Sequence, residues 1–279
     1  MNRTAAVIGA GTMGIGIAYS FATAGWATTV VEPSLERQRS VREQLTEVAA
    51  DGVRRGKLTT EAAAVALERL EFVSDAEEMA TGLEIVIETV PEIMDLKVRI
   101  LRTAEQKRPR ILASNTSALS IDELADALDD PTNFLGAHFF NPVWSIHLVE
   151  IIRGAETSEE AIAAMEQIAA DIGKETAVVR DSPGFATSRL DLVTGLEAMR
   201  MVEEGVASAE GIDRAMRVAY RHPVGPLRLS DIVGLDVRLH IAENLAARLG
   251  DHFAPPQILV DMVRRGELGQ KSGKGFYEW

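Results

Sequence analysis

A chain of 279 residues exceeds one typical domain, so two domains are expected. Apolar residues at 46% and charged residues at 25% are ordinary for a globular protein and exclude a disordered one. A net charge of −13 speaks against nucleic acid as a partner, and the absence of cysteine excludes disulfides, thiolate metal sites and a cysteine nucleophile.

The run Thr4 to Ala10 is short, apolar and bounded by glycine, which predicts a buried parallel strand. A helix is predicted from Met13 to Ala24, a second strand from Ala27 to Glu32, then helices over Ser34–Arg55 and Thr60–Leu70. Strand-like runs at Glu84–Glu88, Arg110–Ala113 and Phe134–Ala137, with a helix at Glu92–Gln106, continue the alternation. The fold class expected is α/β, a doubly wound parallel sheet. From Ser182-Pro183, which reads as an N-cap with proline in the first turn, only helical periodicity follows: Pro183–Glu204, Ser208–Tyr220, Leu235–Leu249 and Gln257–Arg265. Residues 1–181 are therefore expected to form a Rossmann-type domain and 182–279 an all-helical one. The apolar start lacks a charged n-region and a cleavage site, and no apolar run reaches bilayer length. A soluble, cytoplasmic protein without a membrane partner is expected.

Gly9-Ala10-Gly11-Thr12-Met13-Gly14 is a G-x-G-x-x-G turn between strand and helix. Gly9 permits the turn, Gly11 admits a pyrophosphate close to the backbone, and Gly14 lets helix pack on strand. Free N–H groups and the helix dipole then hold the phosphates. Glu32 ends the next strand, where a carboxylate accepts from ribose hydroxyls and repels a 2′-phosphate, so NAD is expected over NADP. Arg37 and Arg39 would weaken that preference unless they form a solvated helix face.

Two further segments carry chemistry. Ser114-Asn115-Thr116-Ser117 follows a strand and falls at the ligand-binding edge of the sheet. Gly136-Ala137-His138-Phe139-Phe140-Asn141-Pro142 and Leu148-Val149-Glu150-Ile151-Ile152 put a histidine after one apolar strand and a glutamate inside another. A glutamate in so apolar a run needs a partner, and histidine is the natural one. Such a pair suits alcohol oxidation, since imidazole takes the hydroxyl proton while the carboxylate fixes its tautomer. The alternative is a structural histidine and a strand-edge charge.

VIGAGTMG, SNTS, GAHFFNPV, LVEII, DSPGF, HPVGPLRLSDIVGLD and GQKSGKGFYEW together resemble the bacterial L-3-hydroxyacyl-CoA dehydrogenases, from the first strand to the last residue. The resemblance implies NAD, an acyl thioester such as 3-hydroxybutyryl-CoA, and a helical second domain that forms a homodimer and shares in the substrate cleft. It also implies His138 as general acid/base, Glu150 as its orienting partner and Ser117 on the substrate oxygen. Asn141, Trp144 and Ser188 would face the substrate; Glu92, Lys97 and Asn115 would lie on the cofactor side.

Three departures stand out, of which those at Ser188 and at Trp144–His147 bear on the substrate, while Glu32 for aspartate is conservative. Ser188 stands where relatives carry asparagine, and Glu32 where aspartate is common. Trp144, Ser145, Ile146 and His147 replace the usual PVMK. An aromatic in that stretch is similar to relatives that oxidise sugar acids or carnitine, so a free hydroxy acid is the alternative substrate. Arg54-Arg55-Gly56-Lys57 is a basic cluster where relatives receive the phosphates of coenzyme A; an acyl carrier protein, or a solvated helix end, would equally fit. A non-catalytic NAD-sensing protein is the alternative from another class. His222-Pro223-Val224-Gly225-Pro226 reads as a turn or a wall of the acyl pocket, the residues from Lys271 onward as a packed tail, and His240 and His252 as structural or exposed. No histidine pair has metal-ligand spacing, so no metal is expected.

Overall fold

The computed structural model describes residues 3–279. The chain divides between Ser182 and Pro183 into two compact units. In the first, strands β1 (Thr4–Ile8), β2 (Ala27–Val31), β3 (Leu70–Val73), β4 (Ile85–Glu88), β5 (Ile111–Ser114), β6 (Phe134–Phe139), β7 (Leu148–Arg153) and β8 (Glu175–Arg180) make one sheet in the order β3-β2-β1-β4-β5-β6-β7-β8. Helices α1 (Thr12–Thr23), α2 (Leu35–Arg54), α3 (Thr60–Glu68), α4 (Met94–Glu105), α5 (Ile121–Ala125) and α6 (Glu159–Asp171) connect the strands. β1, β4 and β5 are buried throughout apart from the half-buried Thr4, and apolar except for Thr4, Glu88 and Ser114 at their ends, as suits strands covered on both faces.

Strand order reverses between β1 and β4, and the crevice at their carboxyl ends is where such sheets bind ligands. Serine or threonine caps set the start of several helices. Ser34 accepts from Arg37 N, Thr59 from Ala62 N, and Ser158 from Ala161 N.

Several expectations need correction. The sheet is not wholly parallel, because β7 runs antiparallel to β6 and β8 then follows β7. β3 shares only Leu70 with a predicted helix and was otherwise unassigned, and β8, with α6 before it, was not expected. His138 lies within β6 rather than after it. Ser182-Pro183 starts no helix, since Gly184 and Phe185 both take positive φ (76° and 48°) and the helix begins at Thr187.

The second unit packs α7 (Thr187–Glu203), α8 (Ala209–Ala219), α9 (Pro226–Val233), α10 (Leu235–Leu249) and α11 (Gln257–Arg264) around Leu196, Met199, Leu227, Leu235, Phe253 and Leu259. Two buried aspartates fasten its tail. Asp231 accepts from the N–H groups of Phe276 and Tyr277 and from Trp279 Nε1, and Asp213 accepts from Leu227 N, Arg228 N and the Tyr277 hydroxyl. A Cβ at Gly275 would stand 2.1 Å from Asp231 Oδ1, so only glycine lets the tail come this close. Among the described residues no helix is long and apolar enough to cross a membrane.

Candidate active site

The turn after β1 opens onto a cavity of about 810 Å³. Gly9, Gly11, Thr12, Met13 and Glu32 line it, together with Thr89 and Val90 from the end of β4. Thr89 Oγ1 donates to the carbonyls of Ile8 and Gly9, tying the two strand ends across the switch point. Glu32 Oε1 accepts from Ser34 N at 2.9 Å, which aims the carboxylate along the cavity rim. Arg37 is no solvated helix face: its Nε and Nη2 both reach Ala10 O, at 3.2 and 2.9 Å. Two of its five N–H groups are thereby engaged by the main chain, and the side chain also lines the cavity. Arg39 is exposed.

At the same edge of the sheet, antiparallel register sets His138 directly opposite Glu150. Directly opposed residues share a face, and His138 Nδ1 lies 3.0 Å from Glu150 Oε2. Glu150 is wholly buried and His138 is 7% exposed. Phe140 packs against the imidazole at a tilt of 52°, centroids 4.4 Å apart.

The Asn115–Ser117 loop is built from beneath. Glu88, at the end of β4, accepts from Lys97 Nζ at 2.8 Å and from Ser114 Oγ at 2.6 Å. Burial raises the Glu88 carboxyl against the pull of Lys97, Ser114 and the Val90 N–H. Glu92 accepts from the Thr116 hydroxyl, Ser117 N and Ala118 N, and pairs with Lys97 at 3.2 Å. Burial works to raise Glu92 too, but the Thr116 hydroxyl, the Lys97 charge and the Ser117 N–H outweigh it and hold its carboxyl below the usual range. Asn115 Oδ1 accepts from Phe139 N at 2.9 Å, joining this loop to the strand that carries His138.

Comparison with known proteins agrees with this architecture along the whole chain. Residues 4–182 match the NAD-binding domain of 3-hydroxyacyl-CoA dehydrogenase, and residues 184–279 match its C-terminal domain. The chain belongs to the 3-hydroxyacyl-CoA dehydrogenase family. It is similar to 3-hydroxybutyryl-CoA dehydrogenases of Mycobacterium tuberculosis (39% identity over 278 residues, 98% of this chain and 97% of the relative) and Bradyrhizobium diazoefficiens (39% over 276 residues, 98% and 94%). The crystal structure of (S)-3-hydroxybutyryl-CoA dehydrogenase from Ralstonia eutropha matches with a TM-score of 0.94 at 37% identity, covering 100% of this chain and 99% of that one.

As an NAD-dependent dehydrogenase of this family the chain has a turn that suits the cofactor. A Cβ at Gly14 would fall 1.9 Å from Gly9 O, so α1 can approach β1 only with glycine there. A Cβ at Gly11 would meet nothing within 4 Å, so that backbone faces open cavity, as close passage of a pyrophosphate needs. Glu32 lines the same cavity from the end of β2. Glu92, Lys97 and Asn115, expected on the cofactor side, do not line this cavity. Lys97 is 0% exposed and its ammonium is enclosed by Glu88, Glu92 and Val90 O.

Among the substrate-side expectations, Ser117 and Asn141 are exposed, and Ser188 sits half-buried in the first turn of α7. Trp144 is 40% exposed and edge-on to Tyr19, with centroids 6.1 Å apart. Tyr19, Arg55, Lys57 and Trp144 line one small cavity of about 150 Å³. Arg55 is paired there with Asp51 at 2.7 Å. Sequence reasoning missed Glu88, Tyr19 and Lys174, and placed Thr116 at the ligand-binding edge without a role. Only Glu88 left a signal, being a carboxylate closing an apolar strand, IVIE, much as Glu150 interrupts LVEII.

Proposed function

We propose that the chain interconverts the 3-hydroxy and 3-oxo forms of a short acyl thioester, 3-hydroxybutyryl-CoA being the model substrate, with His138 as general acid/base and Glu150 as its orienting partner. The observation that carries this reading is the 3.0 Å contact between His138 Nδ1 and a wholly buried Glu150. A carboxylate on Nδ1 fixes that nitrogen as the donor, so the proton exchanged with substrate travels through Nε2. NAD, when bound, supplies the hydride acceptor for oxidation and, reduced, the donor for ketone reduction. In oxidation Nε2 takes the hydroxyl proton as hydride leaves the same carbon, and the buried carboxylate stabilises the imidazolium. In reduction Nε2 returns a proton to the 3-oxo oxygen. Ser117, whose backbone N–H is fixed by Glu92, brings a hydroxyl to the substrate oxygen, and Asn115, with Oδ1 engaged by Phe139 N, ties this loop to the strand of His138. Asn141 and Trp144 complete the substrate side within the first unit, with the basic Arg55–Lys57 stretch beside Trp144 for the phosphates of the thioester carrier.

Trp144 also supports a second reading, the same chemistry on a free hydroxy acid, because an exposed indole stands where relatives have a small proline. Loss of NADH absorbance with acetoacetyl-CoA, with acetoacetyl carrier protein and with free acetoacetate separates the cases. Turnover with the coenzyme A thioester is expected; turnover with free acetoacetate alone would overturn the thioester reading. An NAD-sensing protein without turnover would reduce none of the three. Assembly is proposed to be a homodimer through the second unit, which leaves Leu190, Val206, Val218 and Tyr220 60–75% exposed. Gel filtration at micromolar concentration eluting as a monomer would refute it. A cytoplasmic location is proposed on the likeness to bacterial 3-hydroxybutyryl-CoA dehydrogenases.

A further inference from the structure

The eight residues between β6 and β7, Phe140 to His147, join the strand of His138 to the strand of Glu150. Their turn is tight. Pro142 O accepts from both Ser145 N and Ile146 N, at 2.9 and 3.0 Å. On one side the turn leans on α1, the helix that follows the glycine turn. Val143 is buried, a Cβ at Gly16 would stand 2.7 Å from its Cγ2, and Trp144 meets Tyr19 edge-on. On the other side it meets the turn between α6 and β8. Glu175 N donates to His147 O at 2.6 Å, and His147 Nδ1 lies 3.2 Å from Gly173 O.

The carbonyls of the buried Val143 and of the more exposed Ile146 both turn toward Lys174, and among the described residues no backbone N–H reaches either. Buried carbonyls must find a donor. Both find the same one: Lys174 Nζ donates to Val143 O and, at 2.6 Å, to Ile146 O. Lys174 is 8% exposed, and among the described residues no carboxylate pairs with it. A buried ammonium without a counter-ion is expensive, and burial pulls its pKa below the ordinary lysine range. An apolar side chain would avoid that cost but would leave two carbonyls unpaired. Lysine supplies several donors at the end of a four-carbon stem, which is what bridging two carbonyls from the neighbouring turn requires.

We infer that Lys174 is a positioning residue, whose ammonium fixes the Asn141–His147 loop and so holds Trp144 in place at the substrate side. The inference rests on the proposed role of Trp144 toward substrate, yet its first half, control of the loop, stands on the hydrogen bonds alone. It assigns work to a buried cation that takes no part in proton or hydride transfer.

The test labels the three tryptophans, Trp26, Trp144 and Trp279, with 5-fluorotryptophan and follows them by ¹⁹F NMR, with Trp144→Phe assigning the resonance. Lys174→Met keeps the stem and removes the donors. It should shift or broaden the Trp144 resonance and leave those of Trp26 and Trp279 in place. The KM for acetoacetyl-CoA should rise on the order of tenfold, as small misplacements of a substrate contact do, with NADH affinity retained. Lys174→Arg, which keeps donors, should restore most of both effects. Should Lys174→Met fail to fold, Lys174→Gln, with a shorter reach, must move the same resonance. An unmoved Trp144 resonance, or an NADH affinity that falls as far as KM rises, overturns the inference. A moved resonance with Trp144→Phe leaving KM unchanged would keep Lys174 as the loop's anchor and sink the substrate role of Trp144 instead.

Discussion

His138 and Glu150 are cross-strand neighbours, so their 3.0 Å contact is a property of sheet register and not of a flexible loop. A slip of one residue would turn either side chain to the opposite face of the sheet. The antiparallel step between β6 and β7, the one departure from a parallel sheet, is what brings a histidine and a glutamate twelve residues apart into direct opposition. His138→Gln keeps a donor facing the buried carboxylate and should fold and bind NADH as the parent does, while kcat falls on the order of 10²- to 10⁴-fold. Glu150→Gln should fall within the same range with NADH binding intact. Stopped-flow turnover beside an NADH fluorescence titration measures both, and retained turnover in His138→Gln would remove it as the base.

Gly11 and Gly14 belong to one motif yet should fail differently. At Gly14 an added methyl collides with the backbone of Gly9, so Gly14→Ala should cost at least the 1–3 kcal/mol typical of overpacking, seen as a lowered Tm. Gly11 has φ −76° and ψ −175°, open to any residue, with empty space around it. Gly11→Ala should therefore leave Tm unchanged and weaken NADH binding alone. Normal NADH affinity in Gly11→Ala would mean that no pyrophosphate passes close to that backbone.

Coenzyme preference should rest on Glu32 more than on the arginines after it. Removing the carboxylate in Glu32→Ala takes away the repulsion of a 2′-phosphate and the acceptor for the ribose hydroxyls, so NADH should lose affinity. NADPH should gain little, because two of the N–H groups of Arg37 are already committed to Ala10 O. The kcat/KM ratio for the two reduced coenzymes reads this directly. A strong gain with NADPH would show that Arg37 leaves Ala10 when a phosphate is offered.

Much of this was legible in the sequence because it is local. β1, α1 and β2 follow from apolar runs punctuated by glycine, and α10 was delimited to the residue. What escaped depended on tertiary context. The run LEFV is too short to separate from the helix before it, and the half-exposed ETAVVR lacks the continuous apolar signal of the inner strands. Gly225-Pro226 reads equally as a turn and as the start of α9. Lys97 and Arg37 look like surface charges on amphipathic helices. Their partners, Glu88 and Ala10 O, lie on other elements, and no spacing along the chain announces them. The pairing of His138 with Glu150 could be inferred from the price of a carboxylate in an apolar strand, but the register that delivers it could not.

The fastening of the tail in the second unit carries a pH dependence of definite sign. Tyr277 donates its hydroxyl to Asp213 at 2.8 Å. Burial first, then this hydrogen bond and the charge of Asp213, hold its pKa well above the ordinary tyrosine value. The folded state thus keeps a proton that the unfolded chain surrenders near pH 10. Its contribution to stability is complete below that pH and drains away as pH rises through it toward the raised value. Denaturant unfolding between about pH 8 and 11 should show the parent losing its advantage over Tyr277→Phe as the medium becomes alkaline, because phenylalanine has no proton to lose. Other groups titrate in that range in both proteins, so the difference between the two curves isolates Tyr277. If that difference stays constant across the range, the hydroxyl of Tyr277 is not bound to Asp213 in the folded protein.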